Sequence, residues 1–153
     1  MSDFDPATYL DSVTTEQSVR RPPLPIGDYT GMTGEVTVRP WESKKENAKI
    51  KSGIAYDIPI TIDVPLAVQE ALGIGPTVKL TDTVMPQLTE LKALDWSPGR
   101  NNQLRHWRDA TDQNVQGQTF SVRMLGGKFV KVKIVHEMYE GELYDRIGGV
   151  AKA

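Results

Sequence analysis

The chain has 153 residues, a formal charge of −2, and 39% hydrophobic and 25% charged residues. That profile fits one globular domain with tails and excludes a disordered or fibrous chain. It has no cysteine, which excludes disulfides, thiolate metal centres and cysteine nucleophiles. No apolar run approaches the ~18 residues of a membrane span. The N-terminal MSDFDPATYLDS has no apolar signal-peptide core, so a cytoplasmic, membrane-free setting is expected.

Residues 1–25 hold Asp3, Asp5, Asp11 and Glu16 and end in RRPPLP. They read as a disordered or extended acidic arm with a short helix near Thr8–Val13, followed by a Pro-rich linker. IGDYTGMTGEVTVRPW predicts strand interrupted by glycine-marked bends. ESKKENAKIKSG is a polar, lysine-rich loop. IAYDIPITIDV alternates, with Ile54, Tyr56, Ile58, Ile60 and Ile62 on one face. Pro59 has no N–H to give to a ladder, so this strand belongs at an edge or carries a bulge.

PLAVQEALG predicts a short helix, with Pro65 at its start and Gly73 at its stop. TVKLTDTVMPQL has room for a short strand. SPGRNNQLRHWRDATDQN predicts a second helix, capped by Ser97 or Asn101, with Leu104, Trp107 and Thr111 on one face. Strands are expected at 119–124, 128–136 and 142–150, the last two as a hairpin. The fold class is therefore β-rich α+β. An OB-like, partly closed antiparallel barrel with two helices accommodates this order in residues 26–153. A sandwich with inserted helices is the alternative.

Enzyme motifs are missing. There is no GxSxG, and GIGPTV is neither a P-loop nor a full GxGxxG. His106 and His136 are thirty residues apart with no HExxH. His136, Glu137 and Asp145 could be imagined as a metal site, and Glu137, Glu140, Glu142 and Asp145 as catalytic carboxylates. A charged, solvated hairpin explains them more simply. No enzyme, cofactor or metal is expected.

What remains is segregated charge. Arg39, Lys44, Lys45, Lys49 and Lys51 form one basic stretch. Arg100, Arg105, Arg108, Arg123, Lys128, Lys131 and Lys133 form another, while 53–98 and the arm are acidic. A near-neutral total can hide a basic groove in this way. Tyr29, Trp41, Trp107, Phe129 and Tyr139 lie beside the basic stretches. Cations that follow phosphates and rings that stack bases together hold single-stranded nucleic acid. About half of these rings are expected in the core, Trp107 foremost. Lys131 and Lys133 share an outward strand face with Phe129, opposite Val132, Ile134 and His136.

Four stretches add a resemblance: PLPIGDYTG, ITIDVPLAVQEALGIGPTVKLTD, DWSPGRNNQLRHWRDATDQNVQGQTF and LGGKFVKVKIVHEMYEGELYDRIGGVAKA. In this order they resemble small proteins of tailed bacteriophages described as single-stranded-DNA-binding proteins of replication and recombination. The resemblance runs over about residues 24–152. It implies an OB-like barrel that coats single strands non-specifically in the host cytoplasm. It points to Arg100, Arg105, Arg108, Lys128, Lys131, Lys133, His136 and Tyr139. With the residue-level reading, the expected interface adds Arg39, Trp41, Lys44, Lys45 and Phe129.

The better-known phage binders carry a C-terminal acidic tail. Here the acid lies in the N-terminal arm and the sequence ends GGVAKA, so recruitment of phage or host replication proteins, if kept, moves to the arm. A homo-oligomer is compatible with this reading. The alternatives are a virion or assembly β-domain, and a host-enzyme inhibitor that uses the arm as a DNA mimic.

Overall fold

The structure, a computed structural model, describes residues 4–47 and 52–153. Lys49 and Lys51 of the first basic stretch lie outside the described residues. The described residues form a β-rich fold, with a six-stranded antiparallel sheet and three α-helices. The strands are β1 (Gly27–Thr33), β2 (Thr37–Glu42), β3 (Ser52–Asp63), β4 (Thr77–Val84), β5 (Phe129–Tyr139) and β6 (Glu142–Lys152). The helices are α1 (Pro6–Leu10), α2 (Leu66–Leu72) and α3 (Asn102–Ala110).

β3 organises the sheet. β1 and β2 lie end to end along one of its edges, against Ile60–Ile62 and Ser52–Asp57. β4 pairs its other edge from Tyr56 to Asp63. β1 also pairs β5, and β5 pairs β6. Among the described residues no ladder joins β4 to β6. The sheet is therefore not closed, where partial closure was expected.

Pro59 explains how β3 can be central rather than at the edge that its sequence suggested. In a strand, the N–H and C=O of one residue point the same way. The Pro59 carbonyl accepts from Gly34 N at 2.8 Å, so its missing N–H faces the break between β1 and β2. A ladder bond is absent there in any case. The edge reading does not hold, and β3 itself runs in unbroken register with β4 through Pro59; the irregularity lies in the break between β1 and β2.

Strand alternation builds the core. Ile58, Ile60 and Ile62 of β3 and Val130, Val132 and Ile134 of β5 are fully buried, with Val78, Val84 and Ile147 beside them. α3 adds Leu104, Trp107 and Ala110 to this core. Trp107 also donates its indole N–H to Asp82 of β4 at 2.8 Å. The expected strand at 119–124 is instead a 3₁₀ turn, Val122–Leu125, that buries Val122 and Leu125 in the core. Turn-spaced apolar residues outweighed the β-prone composition there.

The β5–β6 hairpin closes through Glu140 and Gly141, both at positive φ (51° and 79°), the backbone of a type I′ turn. A register shift after Lys133 leaves Gly148 as the extra residue on β6. A Cβ at Gly148 would lie 2.7 Å from Val135 Cγ1, so a side chain there collides with β5.

The short arm helix expected near Thr8–Val13 is α1, which begins earlier, at Pro6, and ends at Leu10. Asp5 caps it by accepting from Ala7 N at 3.1 Å, and Pro6 occupies its first turn. All its residues are exposed.

The linker is tied into the domain. Leu24 is fully buried among the core residues. Arg21 donates two hydrogen bonds to Asp145 of β6 at 2.7 and 3.0 Å. Asp145 also accepts from Leu24 N at 2.7 Å, and His136 meets the Leu24 carbonyl at 2.6 Å. Arg20 donates to the Leu143 carbonyl, pairs with Glu142 at 3.2 Å and lies 3.9 Å from the Tyr144 ring centroid.

Burial pushes the Asp145 carboxyl upward, but the hydrogen bonds from Arg21 and Leu24 outweigh it and hold the group below the usual carboxylate range. Its contribution is thus complete above the ordinary value of 3.8 and lost as pH falls through the lower folded value. Asp145→Asn leaves the Arg21 guanidinium without its charge partner and is expected to cost about 2–3 kcal/mol at pH 7. Urea denaturation measures the cost, and limited proteolysis should show faster cleavage near Arg20 and Arg21. A variant as stable and as resistant as the parent would show the strap to be incidental.

Candidate nucleic-acid interface

The expected cations do not form one surface. They fall into three places. Lys131 and Lys133 line a small cavity of about 220 Å³ together with Asp28; one of the three places combines larger concavities with tryptophans.

That place is a pair of grooves that share Arg100. The larger, about 740 Å³, lies between the segment leading into α3 and the loop that follows it. Trp96, Arg100, Arg105, Arg108, Asn102 and Asn114 line it with other polar residues. The second, about 510 Å³, is lined by Trp41, Gly53, Met85, Leu88, Lys92 and Arg100 among others. Among the described residues no carboxylate lines either groove, although the chain carries 20 acidic residues. Each groove contains a tryptophan and at least two cations.

The local structure sets these side chains firmly. Trp41, on edge strand β2, donates its indole N–H to Ile54 O at 3.1 Å and lies across Gly53. A Cβ at Gly53 would stand 3.0 Å from the indole nitrogen, so glycine there makes room for the ring. Asn101 occupies the N-cap position of α3 at φ 52° but does not cap it through its side chain. The buried Asn101 side chain instead donates to the carbonyls of Gln87 and Asp95 at 2.8 and 2.9 Å and accepts from Gln87 N at 2.7 Å. Gln87 returns a side-chain acceptor to Asn101 N at 2.8 Å. This reciprocal pair fixes the loop that carries Lys92, Trp96 and Arg100.

Arg108 is held at the floor. Its guanidinium carbon lies 4.4 Å from the Phe120 ring centroid and 4.7 Å from that of Trp96. Its Nε and one Nη donate to the Gln113 carbonyl, both at 3.1 Å. Arg108 thus supports Trp96 while keeping some donors toward the groove. Arg105 is exposed, and Arg100 is held only loosely by Asp95, at 3.9 Å. Hydrogen bonds from the Ser97 side chain and backbone hold the Asp95 carboxyl below its usual range.

Of the remaining expected residues, Lys44 and Lys45 are exposed just after β2, close in sequence to Trp41. Arg39 is paired with Asp57 at 2.8 Å. Lys128 is exposed, its backbone pinned to Thr33. Phe129, Lys131 and Lys133 point outward from β5, as alternation predicts, opposite the buried Val130, Val132 and Ile134. α3 packs on the buried side, so the lysine face and the grooves are separate. His136 is turned to the Leu24 carbonyl, and Glu137 pairs with Arg146 at 3.2 Å; with Asp145 on Arg21, the imagined metal ligands are spent on the strap and hairpin. Tyr139 is exposed near the hairpin turn, 6.3 Å from Tyr144 between ring centroids.

Lys92 and Trp96 were missed by sequence reading, and Asn101, expected as a helix cap, instead clasps Gln87 and Asp95 with its side chain. The DWSPGR segment held a usable signal: an aromatic residue set by a Pro-Gly turn next to a basic helix. No protein-family model matches the chain.

Between β4 and β6 lies a further cavity of about 470 Å³, lined by Asp82, Gln103, His106, Trp107 and Arg146 among others. Burial raises the Asp82 carboxyl above its usual range, against the hydrogen bonds from Trp107 and Gln103. A buried carboxylate with a raised value costs stability as pH rises from 3.8 through the folded value. Asp82→Asn keeps an acceptor for the indole and removes that charge. It should be at least as stable as the parent at pH 7, with a flatter stability profile as pH rises above 3.8. Marked destabilisation at pH 7 would show that the ionised form is needed. Arg108→Lys loses the flat stack and should cost about 1–2 kcal/mol, whereas Arg105→Lys should stay within ~0.5 kcal/mol; denaturant titration separates the two.

Proposed function

We propose that the protein binds single-stranded DNA without sequence preference, by stoichiometric coating rather than turnover, through the paired grooves around Arg100. The observation that carries this reading is the lining: two tryptophans, Trp41 and Trp96, with Lys92, Arg100, Arg105 and Arg108, and no carboxylate among the described residues. Rings supply sequence-tolerant stacking worth roughly 1–3 kcal/mol per base, and the cations meet the phosphates. The grooves admit flat bases from a flexible strand, whereas a duplex keeps its bases paired and out of reach. Lys44 and Lys45 extend the cationic path beyond Trp41.

The fold reading that goes with this function is OB-like. A bent first strand made of β1 and β2, then β3, β4, a helix, and the β5–β6 hairpin follow one another as in a five-stranded Greek-key barrel with a helix before the fourth strand. The unpaired β4–β6 seam is where such a barrel remains open. The phage resemblance supports the same reading and suggests a role in replication, recombination or early transcription in the host cytoplasm.

The test is fluorescence anisotropy of a labelled ~30-nucleotide single strand at several salt concentrations, with duplex as competitor. Binding should weaken with salt at a log–log slope of about −0.7 per phosphate neutralised, and duplex should compete poorly. Trp96→Ala and the Arg100→Ala/Arg105→Ala pair should each weaken binding at least tenfold at moderate salt. No binding by the parent at low salt overturns the proposal. Binding by the parent that these variants leave intact removes the grooves as its site.

A further inference from the structure

Two features outside the grooves complement each other. The first is the outer face of β1 and β5. Met32 and Phe129 stand side by side across the two strands, 43% and 64% exposed. Lys131 and Lys133 follow on the same side of β5, exposed, with Asp28 across from Lys133. This is an apolar pair next to a largely cationic one.

The second is the arm. Its helix signals are strong for so short an element: an Asp5 cap and Pro6 in the first turn. Tyr9, Leu10 and Val13 are 70%, 82% and 93% exposed. Asp5, Asp11 and Glu16 alternate with them along the arm, all exposed. An isolated helix of this length is marginal in water, so a surface that receives its apolar residues would stabilise it.

We infer that the arm of one copy docks on the Met32–Phe129–Lys131–Lys133 face of a second copy. Rings and aliphatics meet the apolar pair, and the arm's carboxylates meet the lysines. A second copy is the occupant because this chain's own arm leaves both partners exposed: residues 5–19 are exposed throughout, and so are Phe129, Lys131 and Lys133. The strap at Arg20–Leu24 fixes where the arm leaves the domain. From residue 19 back to residue 13 the extended chain spans up to ~23 Å, enough to reach a neighbour. Such a contact joins two different surfaces. It is therefore heterologous: it closes as a dimer when two copies exchange arms, and runs on into a ring or row when they do not. This inference stands independently of the DNA-binding reading.

The experiment is sedimentation velocity on the full chain, without DNA, over a hundredfold concentration range at low and high salt. Concentration-dependent association that salt weakens is expected. Asp5→Lys/Asp11→Lys and Lys131→Glu/Lys133→Glu should each weaken association at least tenfold, with circular dichroism melts confirming the fold. Mixing the two charge-reversed variants should restore it, because each arm then meets a face of opposite charge. A parent that stays monomeric overturns the inference. So does association that neither variant changes, or a mixture that fails to recover. A monomer whose arm becomes protected from protease only when Lys131 and Lys133 are present would assign the face to the chain's own arm instead, and likewise overturn the second-copy contact.

Discussion

Asp145 joins the N-terminal linker to the C-terminal hairpin, two segments far apart in the chain. It stands on β6, across the hairpin from His136, and accepts hydrogen bonds from Arg21 and from the backbone of Leu24. A carboxylate so little exposed would be costly without partners. Here the partners come from a proline-rich linker that has no ladder of its own. The carboxylate therefore converts an extended lead-in into a strap, and the strap delivers Leu24 to the core. β1 begins three residues later, so the entry to the sheet depends on the same contact. Tyr29 completes the join by donating from its hydroxyl to the Pro25 carbonyl at 2.7 Å.

The rest of the architecture follows from how β3 is shared. One long strand with three buried isoleucines cannot be satisfied by one neighbour. It takes β4 on one edge and the broken pair β1–β2 on the other. The break is placed opposite Pro59, where a continuous strand would have faced a missing donor. Because β1 turns away there, it can reach β5 and carry the second half of the sheet. α3 then fills the interior with Trp107, and its indole N–H meets a carboxylate that burial would otherwise leave unsupported.

The grooves are by-products of this packing and gain their character from it. α3 enters the core through Leu104 and Trp107, which turns Arg105 outward and lays Arg108 beneath Trp96. The loop before α3 carries no strand pairing beyond a single bridge between Leu88 and Leu94. Its order comes from the Gln87–Asn101 clasp. A loop clasped in this way would present its rings and cations to the proposed single strand at little ordering cost. The lysines of β5 are held in a different way, by strand alternation alone, and they face away from the helix.

Local rules were enough to read much of this from the amino acids. Alternation in IAYDIPITIDV and KFVKVKIV identified two strands and their outward lysines, because side-chain direction in a strand depends only on parity. The Leu104–Trp107 spacing identified the inward face of α3, whose third buried residue is Ala110 rather than Thr111, and alternation placed the hairpin between 128–136 and 142–150. What needed the tertiary structure was anything decided by a distant partner. Pro59 argued for an edge until the gap between β1 and β2 was placed opposite it. Residues 119–124 looked like strand until Val122 and Leu125 found the core on one side of a tight turn. Leu24 looked like linker until Asp145, 121 residues away, drew it inward. The basic residues looked like one surface along the chain and separated into three, because the sheet sends successive residues to opposite faces and the helix turns its cations elsewhere. Sequence determined which residues point which way within an element; only the packing of the elements decided which of them meet.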